Sequence, residues 1–287
     1  MQFSLGPLQY CWEHEQIQRF YQAVAESDIP LVYLGETVCA RRRLMKTADY
    51  LAIARQLQQA GKQVVLSTLT LITAPSELTE LKKIIENGHC TIEANDMAAV
   101  MLAHEAEVPF TVGPELNLYN ATSLAILYQL GMQRFVMPLE QSQEWLAALL
   151  ADKAMPEVEV EVTGYGYLPL AHSARCFTAR QQGLTKDSCE TSCRHHANGI
   201  TVNTQIGQPL LRLNGIQTQS ASCCDLQQFI PQMQQMGVHW YRVLPDGDNC
   251  LDYVRQLQQG AQQTKQNSEV TQRCQGYWQG QPGMASS

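Results

Sequence analysis

Charge is sparse in this chain, and basic charge sparser still. Only 16% of residues are charged, and 20 Lys and Arg face 27 Asp and Glu for a formal balance of −7. With no basic face or tail, general nucleic-acid binding and adhesion to an anionic membrane surface are not expected, although a localised basic pocket stays open. No stretch approaches the run of about 18 apolar residues that a membrane span needs, so no span is expected. The opening MQFSLGPLQYCWEHEQ has no cationic region followed by an apolar one, which reads as no secretory signal and a cytoplasmic place. Familiar catalytic signatures are missing as well. HEQIQ at 14–18 and HEAEV at 104–108 lack the second histidine of a zinc-protease helix. Gly164 and Gly166 form a G-x-G without a third glycine, and neither a G-x-S-x-G elbow nor a Walker loop occurs.

What the chain does have is cysteine, ten in all. In a reducing compartment persistent disulfides are rare, so a local cysteine group reads as a metal or redox site. SARCFTARQQGLTKDSCETSCRHH at 173–196 holds Cys176, Cys189 and Cys193 where there is little aliphatic bulk to pack them. The four-residue step from Cys189 to Cys193 suits one face of a helical turn, with Cys176 approaching from another side. A distant fourth ligand is expected in GETVCARRR, at Cys39, just past a strand end. Crowded thiolates need cations, and Arg41, Arg42 and Arg43 follow Cys39 as Arg175, Arg180, Lys186 and Arg194 flank the other three. Spacing leaves an iron–sulfur cluster, a structural zinc and incidental cysteines all open. The His195-His196 pair reads as exposed polar residues. Cys11, Cys90, Cys223, Cys224, Cys250 and Cys274 show no ligand-like spacing and read as small buried hydrophobes.

Eight apolar runs alternate with helical patterns: 3–6, 31–35, 64–68, 91–95, 110–113, 134–138, 158–166 and 240–245. That count predicts an α/β fold, a (β/α)8 barrel-like single domain over 1–260, with a doubly wound sheet as the alternative. A cysteine-bearing insertion with a hairpin, 165–224, precedes the last strand, and a Gln-rich segment follows at 261–287. Asn198-Gly199 and Asn214-Gly215 should bound the hairpin, with Pro209 at an edge. CQGYW at 274–278 should dock on the body and 280–287 should fray. Ser76 and Thr79 are expected to open a helix closed by Asn87-Gly88. Met97, Val100, Met101 and His104 should form a core face, and Glu157, Glu159 and Glu161 a solvent face. Glu36, Glu93 and Glu140, just after strands, are the pocket candidates.

FSLGPL (3–8), VYLGETVCARRR (32–43), GKQVVLSTL (61–69), GYGYLPLAHSARCFTAR (164–180), KDSCETSC (186–193), LNGIQT (213–218) and CQGYW (274–278) run through the chain in order. On these stretches the sequence resembles the collagenase-like peptidase family, in its branch for oxygen-independent ubiquinone biosynthesis. The resemblance implies a barrel-like fold and a [4Fe-4S] cluster on Cys39, Cys176, Cys189 and Cys193. It implies a UbiU-type heterodimer partner with its own cluster, a UbiT-type lipid-carrier protein and hydroxylation of the ubiquinone precursor ring. It also suggests prephenate as hydroxyl donor, which Arg41, Arg42, Arg43 or Arg175 would suit; catalytic residues are unassigned. Proteolysis is not carried over, since no nucleophile–base pair stands out. A peptidase and a non-catalytic scaffold with structural zinc are the rival readings.

Overall fold

The eight apolar runs all become strands of one closed barrel. The computed structural model describes residues 1–247, 249–260, 273–283 and 285. Strands β1 (Gln2–Leu5), β2 (Leu31–Leu34), β3 (Gln63–Ser67), β4 (Thr91–Ala94), β5 (Phe110–Val112), β6 (Met132–Val136) and β7 (Glu159–His172) pair side by side in parallel. Three further strands, β8 (Ile200–Asn203), β9 (Pro209–Asn214) and β10 (Gln217–Asp225), belong to the insertion. Then β11 (Trp240–Val243) pairs in parallel with both β7 and β1, which closes the ring.

Helices α1 (His14–Glu26), α2 (Thr47–Gln59), α3 (Pro75–Ile85), α4 (Met97–Glu105), α5 (Ala121–Gln129) and α6 (Gln143–Leu150) fill the first six crossovers. The insertion carries α7 (Phe177–Gln181), and α8 (Ile230–Gln235) and α9 (Asn249–Gln258) flank β11. The apolar core lies between this helical shell and the outward side of the strands. Parallel strands covered in this way read as continuous β-branched runs, which is why they were legible.

The barrel's inside is polar. Alternate residues point into the lumen, and there Arg242 donates from Nε to Glu161 at 2.7 Å and from Nη1 to Glu93 at 2.6 Å. Glu161 also accepts from Ser4 (2.6 Å) and Tyr33 (2.5 Å), and Glu93 from Ser67 (2.5 Å). Arg134 pairs with Glu159 at 2.5 Å, and Trp240 Nε1 donates to the same carboxylate at 3.1 Å. Burial pushes Glu161 up, but Arg242 and Arg134 outweigh it and hold the carboxyl below its usual range. The expected solvent face is therefore wrong for Glu161, which is 0% exposed, whereas Glu157 is exposed and the Glu159 side chain stays 44% exposed. A two-residue period tells which side chains share a face, and barrel closure turned this one inward.

Other expectations need correction. In α4 the buried stripe is Ala99, Val100 and Ala103, while Met97 (49%) and Met101 (42%) are exposed with His104. Small side chains let the helix approach the sheet closely, which outweighs the greater apolar surface of methionine. Helix α3 opens at Pro75, where Glu77 accepts from the Ala74 N–H, rather than at Ser76. Asn87 and Gly88 (φ +71°) close it as expected. Pro209 starts β9, which lies inside the sheet; β8 is the outer strand. The G-x-G pair serves packing: a Cβ on Gly164 would lie 2.1 Å from the Tyr241 ring.

The 274–278 segment does dock. Strand β12 (Arg273–Cys274) pairs with β10, and Trp278 is buried and accepts the Gln143 N–H at its carbonyl. Gln281 and Ala285 continue this fold with backbone hydrogen bonds, so these two are not frayed, while 284, 286 and 287 lie outside the described residues. The Gln-rich stretch 261–272 lies outside the described residues.

Glu161→Gln should lower stability by about 3 kcal/mol, because it leaves two buried guanidiniums with one carboxylate fewer. Denaturant unfolding followed by circular dichroism checks this; a midpoint equal to the wild type would contradict it.

Candidate functional site

Cys39 sits in the loop after β2, and Glu36 shapes that loop. Its carboxylate accepts the N–H groups of Val38 at 2.8 Å and Cys39 at 3.0 Å, and the Arg42 N–H returns to the Cys39 carbonyl. Arg42 then runs inward, 6% exposed. It donates to the Gln9 carbonyl at 2.5 Å and the Asn214 side chain at 2.7 Å, and lies 3.6 Å from Glu36. One buried side chain thus ties the Cys39 loop to the hairpin of the insertion.

The insertion hangs from β7, whose distal half outruns the barrel and pairs antiparallel with β10. Strands β8 and β9 extend that sheet as the expected hairpin, and Gly199 and Gly215 take the positive φ their turns need. Cys176 caps α7, its sulfur accepting the Ala179 N–H at 3.4 Å. Phe177 N–H and Thr178 Oγ1 bind the Gly215 backbone, and Trp12 Nε1 holds Ala197 from the barrel side. Cys189 and Cys193 do not share one helical face. Glu190 (φ +49°) and Thr191 (φ +54°) reverse the chain between them before a short helical turn at Ser192–His195.

The four sequence-predicted ligands are nevertheless brought together. Cys39, Cys176, Cys189 and Cys193 line one pocket with Arg41, Arg42 and Lys186. All four are free thiols. Among the described residues, no group of three or more His, Cys, Asp or Glu is arranged to hold a metal ion directly. Burial pushes the Cys39 and Cys176 thiols up. Cys193 goes the other way, pulled down to about 6 by a hydrogen bond from Cys11 and, against burial, by the charge of Arg42. Cys11 was read as a buried hydrophobe; it is buried but works as a neighbour of Cys193, a contact that nothing in the spacing signals. Arg175, Arg180 and Arg194 are exposed and do not line the pocket, nor do His195 and His196.

The second feature is the mouth of the barrel, at the carboxyl ends of the strands, where barrel enzymes place their chemistry. Of the pocket candidates, Glu93 is buried here with Arg242, and Glu36 lies at the thiol loop. Glu140 is exposed and accepts from Tyr119. Sequence reading missed Arg242, Thr163, Glu115 and His172. Glu115 is pushed up to about 8 by burial and by Glu93 and Glu140, while burial and Arg42 push His172 down to about 4. The two lie 3.6 Å apart, and burial disfavours the charged form of each.

Comparison with known proteins follows the same outline. The model of peptidase family U32 matches residues 12–247. The tRNA hydroxylation protein P of Escherichia coli (strain K12) is 25% identical over 126 residues, 42% of this chain and 27% of that protein. Its namesake in Helicobacter pylori (strain ATCC 700392 / 26695) is 29% identical over 106 residues, 36% of this chain and 25% of that protein. The matched part thus spans about a quarter of the length of these curated relatives. Among solved structures, the U32 peptidase Mk0906 is similar with a TM-score of 0.47 and 12% identity, over 86% of this chain and 94% of that one. The barrel itself rests on the ring of strand pairings. With a match that runs from the segment before α1 to the loop after β11, taking in the Cys39 loop and the whole insertion, the chain belongs to peptidase family U32.

Proposed function

We propose that the chain is a UbiV-type iron–sulfur subunit of a complex that hydroxylates the ubiquinone precursor ring without dioxygen. In this reading it works in the cytoplasm beside a UbiU-type partner, and a UbiT-type carrier presents the lipid intermediate. The observation that carries the proposal is the meeting of four cysteines from two remote segments in one cation-flanked pocket. Relatives named for tRNA hydroxylation support a hydroxylation role, although they match only part of the chain.

The donor set fits a [4Fe-4S] cluster. Four thiols line the pocket with no carboxylate or imidazole among its lining residues, and Arg41, Arg42 and Lys186 offset the charge that thiolates would carry. Such a cluster, when bound, supplies one-electron chemistry. The chain's own residues do the holding: Arg42 joins the two ligand-bearing segments, Glu36 fixes the loop of Cys39, and Cys11 donates to Cys193. Beside the thiols, a groove between α2 and α3 is lined by Arg41, Arg43 and Lys46 and reaches Cys189. Glu36, Glu77, Glu80 and Glu190 share that lining and Arg41 is paired with Asp187, so an anionic hydroxyl donor of the prephenate kind would be left Arg43 and Lys46 as its positive contacts. Arg175, the other donor contact suggested by sequence, is exposed and outside this groove.

Protein purified without oxygen should carry about four iron and four sulfide per chain. One zinc per chain with no visible absorption would overturn the assignment. Cys39→Ala and Cys176→Ala should lose iron equally, whereas Cys223→Ala, in the buried middle of β10, should retain it. Iron kept in Cys39→Ala but lost in Cys223→Ala would remove the fourth ligand. Arg42→Met should lower the unfolding free energy by about 3 kcal/mol, because it deletes a buried charge and its hydrogen bonds. Chemical denaturation measures this, and raised hydrogen exchange at 214–217 should accompany it.

A further inference from the structure

We propose that the groove between α2 and α3 is a chain-binding site, which takes an uncharged isoprenoid tail along its apolar floor and holds the ring that carries it at the Cys189 end. The groove encloses about 1030 Å3. That is the upper end of small-molecule pockets, roughly 300–1,000 Å3, and space for roughly thirty waters at about 30 Å3 each. Leu34 and Leu66 line it from the barrel strands. Leu51 of α2, Leu69 after β3 and Ile84 of α3 line it too, and all three are left half-buried. Aliphatic side chains along a cleft of this size hold water against apolar surface, and a hydrocarbon chain would displace that water.

The polar part of the lining argues for the same guest. Five cationic and five acidic side chains border the groove, so its formal charge cancels. Most of them are already committed: Arg41 to Asp187, and Lys83 with Thr47 to Glu80. Glu77 accepts the Thr73 and Ala74 N–H groups, and Glu36 those of Val38 and Cys39. Ser67 gives its hydroxyl to Glu93 at 2.5 Å. Arg43 and Lys46, where an anionic donor would be met, stand exposed at the rim. The aliphatic floor offers no hydrogen bonds to a peptide backbone, so a protein segment laid along it would leave polar groups unsatisfied. A hydrocarbon chain has none to satisfy.

The groove also ends in a useful place. Cys189 lines both it and the thiol pocket, so a ring on a tail seated here would lie beside the thiols. This inference rests on the proposed function, which supplies a ring substrate with a polyprenyl tail; binding of the tail itself needs no cluster.

Isothermal titration of the full chain, purified without oxygen, tests it with phenols bearing one, two or three isoprene units, each kept below its micelle-forming concentration. Affinity should rise at least about tenfold with each added unit, because every unit brings several carbons onto apolar surface. Ala48→Trp, at an exposed position in the first turn of α2, should fill part of the groove. It should weaken the three-unit phenol at least about tenfold, with the melting temperature near wild type. Leu69→Asp, in a loop, should weaken it as much by setting a charge on the floor. Iron analysis of the same sample reports separately on the cluster, so failure of the proposed function and failure of chain binding are distinct results. Absence of binding, equal affinity for the one-unit and three-unit phenols, or unchanged affinity in both variants would overturn the proposal and leave the groove to a protein segment. Palmitate binding more tightly than the three-unit phenol would assign the groove to an acyl chain and overturn it equally.

Discussion

Arg242 lies at the centre of the barrel with a carboxylate on each of two nitrogens and the Tyr33 ring 3.9 Å from its guanidinium carbon. Glu161 reaches it from β7 and Glu93 from β4, and Ser4, Tyr33 and Ser67 extend the contacts to β1, β2 and β3. Strands far apart in sequence are thus joined across the lumen as well as around the rim. A buried ion lattice of this kind is poor evidence for net stability, since desolvating its members costs about as much as their attraction returns. Its effect is on specificity: a register slip of one residue in β4, β7 or β11 would leave a buried charge without its partner. The lattice also sets what the barrel mouth presents, because the side of Arg242 that faces the opening keeps one nitrogen uncommitted.

From that frame the rest of the site is suspended. Strand β7 outruns the barrel, and its free half carries β10, β9 and β8 as a sheet extension that brings the cysteine segment over the end of β2. The hold is made at few points. Arg42 bonds to Gln9 and Asn214, and Trp12 bonds to Ala197, so the loop after β2 and the insertion are fixed by buried donors rather than by a large apolar contact. Such an arrangement places side chains from both segments around a common space while leaving that space lined by thiols and cations. The thiol pocket and the barrel mouth are linked through Arg42, which lines the first and donates to the carbonyl of Gln9, which lines the second.

Much of this was legible before any coordinates. The eight strand runs were readable because parallel strands covered by helices are apolar nearly throughout, and the hairpin because Asn-Gly turns announce themselves locally. The thiol group could be assembled on chemistry alone: Cys176, Cys189 and Cys193 had too little apolar company to be core, and Cys39 stood at a strand end among arginines. Glu161 was misjudged because alternation specifies that residues share a face and not whether that face looks at water or at a lumen. Met97 and Met101 were misjudged because an apolar stripe on a helix states what is available for burial, while the helix packed on its smaller side chains, Ala99 and Ala103.

The sequence by itself determined the elements, their order and the residue types able to bind sulfur-loving or oxygen-bearing guests, since these follow from local periodicity, turn chemistry and side-chain donors. Only the tertiary structure decided that Arg242 would sit between Glu93 and Glu161, that Arg42 would span to Asn214, and that Cys11 would lie against Cys193. The physical reason is that each of these contacts joins positions far apart along the chain. Ring closure and the overhang of β7 choose such partners, and no local pattern in a single sequence carries that information.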